Sequence, residues 1–282
     1  MVTISLALLS VASYAQSPKT LEVGPHFGGT TYAGDLNVWR NLSQWQWKSM
    51  NQFHYELGAV ARYNYDSRWS FRLDYTHLYL RAGDSIAAWR PQSDLNFRTI
   101  VNDVSFMVEF NFQDYYTGKM DKGFSPYIFM GVSGMWYAVQ PFTGDETLDA
   151  LYLNDVHMDD NGADVFTIAE KREGFNYALS IPFGVGCKMS LSNHLAATVE
   201  WRMHYTLTDY LDGVHGNYGA SNEFNGYDFN DPTHDPADSQ SGFPEGYQRG
   251  NARTNDWFGM LNLSLTWKFV LPESTACKMT DN

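Results

Sequence analysis

The chain has 282 residues, 44% of them apolar and 16% aromatic, with a formal net charge of −13; this is room for one large β domain or two small ones with a sizeable core. Nothing approaches the eighteen consecutive apolar residues of a membrane helix, which excludes a helical membrane protein, whereas a barrel with alternating faces escapes that test. The acidity excludes nucleic acid as a partner, because phosphates need a basic surface.

In chain order, Met1–Ala15 is an apolar run closing on Ala12-Ser13-Tyr14-Ala15, a small-x-small cleavage pattern. It reads as a signal peptide over residues 1–15. The first cation is Lys19, so the usual basic start is missing, and a buried N-terminal strand is the alternative. No cysteine follows directly, which argues against a lipid anchor. Only Cys187 and Cys277 are present, too few for a disulfide framework, and their pairing is left open.

A first strand spans Leu21–Thr31, with Leu21, Val23, Pro25 and Phe27 on one face and Glu22, Gly24, His26 and Gly28 on the other. After a Trp-rich connection comes the clearest stretch, Phe53–Tyr79. Tyr55, Leu57, Ala59, Ala61 and Tyr63 alternate with His54, Glu56, Gly58, Val60 and Arg62. After Asp66-Ser67, Trp69, Phe71, Leu73 and Tyr75 alternate with Ser70, Arg72, Asp74 and Thr76. Period two over so many residues means strand, and about 9–11 tilted residues cross a bilayer. Aromatics gather at the strand ends and aliphatics at mid-height, as in interfacial girdles around an apolar band. A soluble lipocalin-like barrel would alternate equally well.

The fourth strand sets Ile100, Val104, Phe106, Val108, Phe110 and Phe112 against Asp103, Ser105, Met107, Glu109 and Asn111, and a compact turn is expected at Thr117–Gly123. In the fifth, Phe124–Val139, both rows are apolar and the faces cannot be assigned. The sixth sets Phe175, Tyr177, Leu179, Ile181, Phe183, Val185 and Cys187 against a row ending in Lys188. After a turn at Ser190–Asn193, the seventh sets Leu195, Ala197, Val199 and Trp201 against Thr198, Glu200, Arg202 and His204. The last strand is Trp257–Phe269.

Eight strands result, predicting an all-β, eight-stranded antiparallel up-and-down transmembrane β-barrel over residues 16–269, with 270–282 as a periplasmic tail. Links after the second, fourth and sixth strands read as short, and those after the first, third, fifth and seventh as long. Outer-membrane barrels sort their loops this way, brief on the periplasmic side and longer outside, so the lipid bilayer and the outer membrane are the expected surroundings. Two of the long links hold the whole charge imbalance: Gln140–Glu173 has nine acidic and two basic residues, and Asp209–Arg253 has eight and two.

An eight-stranded barrel is filled by its own side chains, so no channel is expected. Glu22, Glu56, Arg62, Arg72, Asp74, Asp103, Glu109, Glu200, Arg202 and Lys268 are expected to face inward and pair as a structural plug. Glu200, Arg202 and His204 on one face invite an acid/base or metal reading, but a packed lumen leaves little room for substrate. No catalytic, cofactor-binding or metal residue is assigned, and no enzyme activity is expected. The carboxylates of Asp155–Asp164 and Asp228–Asp238 suit calcium by ligand type without following a helical calcium-loop pattern, and solvated loops are the simpler reading.

Several stretches resemble the PorG family of outer-membrane barrels, a component of the type IX secretion system. They are Glu22-Val23-Gly24-Pro25, the run from Gly28-Gly29-Thr30 to Asp35-Leu36-Asn37, Glu109-Phe110-Asn111-Phe112, Tyr116-Thr117-Gly118, Ser125-Pro126-Tyr127-Ile128-Phe129, Ile181-Pro182-Phe183-Gly184-Val185-Gly186, Thr208-Asp209-Tyr210-Leu211-Asp212, Gln248-Arg249-Gly250-Asn251 and Thr266-Trp267-Lys268-Phe269. The resemblance implies a non-enzymatic subunit that positions a periplasmic ring built from a PorK-like lipoprotein and a PorN-like protein. The thirteen residues beyond Phe269 and the long acidic segment Tyr218–Tyr247 depart from that pattern. A surface barrel that binds an external ligand or protein through its acidic loops is the alternative.

Overall fold

A computed structural model describes residues 19–33, 54–83, 96–141, 176–211 and 255–271, with short pieces between 223 and 247. Eight strands, β1 (Thr20–Ala33), β2 (His54–Asn64), β3 (Trp69–Gly83), β4 (Asn96–Asn111), β5 (Phe124–Pro141), β6 (Asn176–Ser190), β7 (Leu195–Thr206) and β8 (Trp257–Val270), pair in sequence order. The sheet closes by β1 pairing antiparallel with β8, from Thr20 opposite Val270 to Ala33 opposite Trp257. A two-residue pairing of Glu223–Phe224 with Tyr227–Asp228 lies within the second acidic segment. The proposed signal peptide, the calcium-type runs except Asp228, Cys277 and the tail from residue 272 fall outside the described residues.

The alternation that marks the strands also decides which face is wet. Phe27, Leu57, Leu73, Phe106, Val132 and Leu179 stand between 49% and 64% exposed on the outer wall, while Glu22, Arg62, Asp103 and Glu109 on the opposite rows are fully buried. A soluble barrel buries its apolar row and wets its charged one. This barrel does the reverse, so hydrocarbon is the medium that fits its outer wall. Tyr65, Trp69, Phe124 and Trp267 ring the end that carries both termini, and Tyr55, Tyr177 and Trp257 the other.

Local chemistry sets the tight turns. At the β2–β3 turn the Asp66 carboxylate accepts the backbone N–H groups of Arg68 and Trp69, each at 2.7 Å. At the β6–β7 turn the Ser192 hydroxyl accepts the N–H of Leu195 at 3.2 Å. Both are side chains that hold their own backbone in a turn. Prolines leave their mark on the ladders: β1–β8 pairing lapses between Val23 and His26, around Pro25, and β5–β6 pairing between Met130 and Ser133, opposite Pro182. Proline lacks the N–H that the ladder requires.

Three expectations need correction. Strand β8 runs through Val270, so the barrel does not end at 269. The β4–β5 link (112–123) has the same length as the β3–β4 link (84–95), so the short-long sorting is not strict. Its extra length turns inward: Tyr115 and Thr117 are buried beneath the lumen, so this link is more than a compact turn at 117–123. The faces of β5, unreadable from pattern, are settled by burial: Tyr127, Phe129, Ser133, Met135 and Tyr137 point inward, and Ile128, Met130 and Val132 outward.

Glycines on the inner wall make room for large neighbours. A Cβ at Gly58 would lie 2.1 Å from the Tyr75 carbonyl oxygen and 2.3 Å from His26 Nε2. Gly58→Ala is therefore expected to destabilise the barrel by about 1–3 kcal/mol, read from the urea midpoint of the micelle-bound protein. An unchanged midpoint would mean that the Tyr75 backbone and the His26 ring both move aside at no cost.

Candidate functional site

The lumen is built in three tiers. The lowest, nearest the short turns, holds four carboxylates, Glu22, Asp74, Glu109 and Glu200, and four cations, Arg62, Arg72, Lys188 and Arg202, all buried. Glu109 receives Arg62 at 2.9 Å, Arg72 at 3.1 Å and Lys188 at 2.5 Å. Arg62 also reaches Glu22 at 3.1 Å. Arg202 joins Asp74 at 2.5 Å to Glu200 at 3.0 Å, and Glu200 accepts further from Arg72 and the Tyr127 hydroxyl. The aromatic faces of Phe129 and Tyr127 cover Arg72 and Lys188 at 4.8 and 4.6 Å. Buried charge is tolerated because every ion of the tier is paired, most of them more than once. The expected inward set is thus brought together, except that Glu56 and Asp103 belong to the tier above and Lys268 is only half-buried, its ammonium donating to the Thr117 carbonyl.

Sequence reasoning missed Lys188 as a charge partner. Its inward row on β6 otherwise carries Ala178, Ser180, Pro182, Gly184 and Gly186, with no second charge to draw attention to it.

In the middle tier His26 Nδ1 lies 3.0 Å from the Glu56 carboxylate, and its Nε2 lies 3.3 Å from the Tyr75 carbonyl. Across the lumen, Asp103 accepts from the Ser105 and Ser133 hydroxyls, while Ser180 bridges Ser133 at 2.6 Å and His204 Nδ1 at 2.9 Å. Ser180, His204 and Asp103 share a neighbourhood but not a relay. Both Ser180 and Asp103 approach the same ring nitrogen, Asp103 at 3.9 Å, whereas a nucleophile triad needs the serine and the carboxylate on opposite nitrogens. Glu200 is committed to its ion pairs, and His204 is stacked on Phe258 at 4.3 Å.

The top tier is apolar. Tyr32, Leu78, Leu80, Val101, Met135, Tyr137, Phe258 and Met260 pack with Leu211, which enters from the segment after β7. Asp256, just before β8, holds that segment: its carboxylate accepts the Tyr32 hydroxyl at 2.5 Å and the Leu211 N–H at 2.8 Å. The Thr99 hydroxyl donates to the Leu211 carbonyl at 2.7 Å. At the opposite mouth Thr117 donates to Glu22 at 2.5 Å, and the Ser190 hydroxyl accepts the Gly118 N–H at 2.7 Å. Among the described residues both mouths are therefore closed by the chain's own links.

The link that closes the lower mouth is pinned from outside by Asp114, which takes the Ser67 hydroxyl at 3.1 Å and Arg68 at 2.8 Å. Lys122 reaches its other oxygen at 3.5 Å. The Ser67 hydrogen bond, opposed by a small desolvation penalty and aided by Arg68, holds the Asp114 carboxyl below the usual aspartate range. A depressed folded-state pKa means a contribution present above the unfolded value near 3.9 and lost as pH falls through the folded value. The group is exposed, so Asp114→Asn should cost below about 1 kcal/mol at neutral pH. The difference between the two proteins should vanish in acid, as measured by urea titration at several pH values.

This architecture defines a class: an eight-stranded outer-membrane β-barrel with an apolar outer wall and a lumen filled by paired ions. Within that class the chain belongs to the family described as a domain of unknown function, DUF6089, whose model matches residues 1–277. No curated protein matches it. Among solved structures it is similar to the N-terminal β-barrel domain of Pseudomonas aeruginosa OprF, at 11% identity and a TM-score of 0.39 over 89% of this chain and 97% of that one. It is also similar to Neisserial surface protein A, at 11% identity and 0.42 over 90% and 98%. A third is a major outer membrane protein from Thermus thermophilus, at 10% identity and 0.36 over 90% and 100%. Likeness at this level adds no argument to the strand pairing, which defines the barrel by itself.

Proposed function

We propose that the protein is a non-enzymatic subunit of a protein secretion machine of the type IX kind, a PorG-like barrel that positions a periplasmic ring of PorK-like lipoprotein and PorN-like protein. The observation that carries this reading is the sealed lumen. With both mouths closed among the described residues, the lowest tier spent on ion pairs and the top tier apolar, the barrel offers its rims and wall for work, not a passage.

Support comes also from where five of the nine PorG-like stretches fall: Glu22–Pro25, Glu109–Phe112, Tyr116–Gly118, Ser125–Phe129 and Thr266–Phe269 lie in the half of the barrel that bears the short turns. The β4–β5 link, with its Lys119 and Lys122 over Tyr116, stands at the centre of that rim.

The test is a crosslinking pull-down from cells in mild detergent, with fractionation. Recovery of an outer-membrane lipoprotein and a periplasmic ring protein, reduced when Lys119 and Lys122 are changed to glutamate, is the expected result. A barrel that fractionates to the outer membrane and brings down neither protein overturns the assembly role.

A further inference from the structure

The outward row of the β3–β4 ladder changes character with height. Its lower part, from Trp69 opposite Phe110 to Leu73 opposite Phe106, is apolar, and higher up His77 stands opposite Asn102. The inward residues that alternate with them, Thr76, Leu78, Val101 and Asp103, are all buried, which fixes the pair on the outer wall. Counting along β3 from Trp69 at about 3.3 Å per residue and a tilt near 40°, His77 lies roughly 20 Å above the lower girdle, inside an apolar band about 25 Å tall. An amide and an imidazole therefore face hydrocarbon.

Hydrocarbon offers no water to their polar atoms, so each atom left unbonded is costly. The Asn102 side-chain oxygen accepts the Tyr75 hydroxyl at 2.9 Å and faces His77 Nδ1 at 2.8 Å. Among the described residues nothing meets the Asn102 amide nitrogen or His77 Nε2. Because Nδ1 points at an acceptor it carries the ring proton, and the neutral imidazole then presents Nε2 as an acceptor. The pair thus exposes one donor beside one acceptor. Turning the amide over exchanges the two roles and still leaves one of each.

We propose that this patch is the interface with a second copy of the chain, each Asn102 amide bonding to His77 Nε2 of the other copy. A donor beside an acceptor complements itself across a two-fold axis. Two barrels inserted the same way up are related by a two-fold along the membrane normal, which keeps every height and reverses left and right across the contact. Each His77 is thereby set against Asn102 of the other copy, and the strand tilt offsets them by only about 3 Å in height. A phospholipid ester supplies acceptors but no donor, so it would satisfy half of the pair.

The ground around the pair suits close approach. Gly134, outward on β5 and opposite Val104, has open space where a Cβ would stand; small residues let membrane helices come together in the same way. Val104, Val132 and Leu179 beside it are between 39% and 64% exposed. Trp136, opposite Asn102 and stacked with Tyr75 at 6.3 Å, flanks the contact. The proposal is independent of the secretion role.

The experiment is sedimentation equilibrium of the full chain in density-matched micelles, with native mass spectrometry to read any retained lipid. A monomer–dimer equilibrium is expected. Asn102→Leu should raise its dissociation constant about tenfold, or about 1.4 kcal/mol, the scale of two hydrogen bonds within a membrane. Gly134→Trp places its ring in open space, so it should keep the barrel folded and weaken the dimer at least as much. Leu263→Val, across the barrel on β8, should change nothing. A protein that stays monomeric at every concentration overturns the proposal, as does a dimer that either folded variant leaves undiminished. A monomer that retains a lipid which Asn102→Leu releases also overturns it and makes lipid the occupant. If Asn102→Leu fails to fold, Gly134→Trp decides alone.

Discussion

Glu109→Gln is expected to destabilise the barrel by about 3–5 kcal/mol, the scale for removing one member of a buried ion pair and stranding its partners. Three cations converge on this carboxylate, from β2, β3 and β6, so its loss turns a four-to-four balance into four cations against three carboxylates, all of them buried. The measurement is a urea titration in micelles, followed by tryptophan fluorescence and by heat-modifiable gel mobility. Lys188→Met supplies the internal control, because Glu109 is the one ion partner of Lys188 among the described residues. The Glu109→Gln/Lys188→Met protein removes both charges and should recover most of the loss. A single variant that falls by less than about 1 kcal/mol, or a double variant no better than the single, would remove charge balance as the reason this tier is stable.

The second large effect is expected at Asp256. Asp256→Ala takes the acceptor from two buried donors, the Tyr32 hydroxyl and the Leu211 N–H. Each stranded donor costs about 1–3 kcal/mol, so the sum is roughly 2–6 kcal/mol. The loss should be local as well as global: hydrogen exchange at the Leu211 amide should speed up more than exchange in β2 or β3, because that amide closes the upper mouth. Asp256→Asn keeps one acceptor oxygen and should lose less. Equal exchange at Leu211 in the Ala variant and the parent protein would show that the apolar tier holds the segment without the carboxylate.

The faces of β2, β3, β4 and β7 were legible in the sequence because each sets an apolar row against a largely polar one, and a polar lumen inside an apolar wall preserves that contrast. Strand β5 defeated the same reasoning for a physical reason. Its inward Tyr127 and Phe129 cover buried guanidinium and ammonium groups, and its Met135 and Tyr137 belong to the apolar top tier, so both of its faces are greasy. Apart from Lys188, the charges of the lowest tier were readable one strand at a time, but their pairing was not, since Arg72 and Glu200 meet across the lumen from strands far apart in sequence. Leu211 and Asp256 lie outside any strand and carry no periodic signal. Asn102 was hidden because a single amide in an otherwise apolar row leaves the period unchanged.

The contributors to the lowest tier are scattered around the circumference: Glu22 from β1, Arg62 from β2, Arg72 and Asp74 from β3, Glu109 from β4, Lys188 from β6, and Glu200 and Arg202 from β7. Glu22 with Arg62, Arg72 with Asp74, and Glu200 with Arg202 are neutral within one strand or two neighbouring ones, but Glu109 meets Lys188, and Arg72 meets Glu200, only when strands that are not neighbours face each other across the lumen. A sheet that has not curled lacks those cross-lumen pairs, so Lys188 would enter oil without its carboxylate, and membrane entry is expected to accompany curling of the sheet. Until then the nascent sheet needs a sheltered, wet place in which to bend, and the ions that lock the finished barrel are also what forbids it from entering flat.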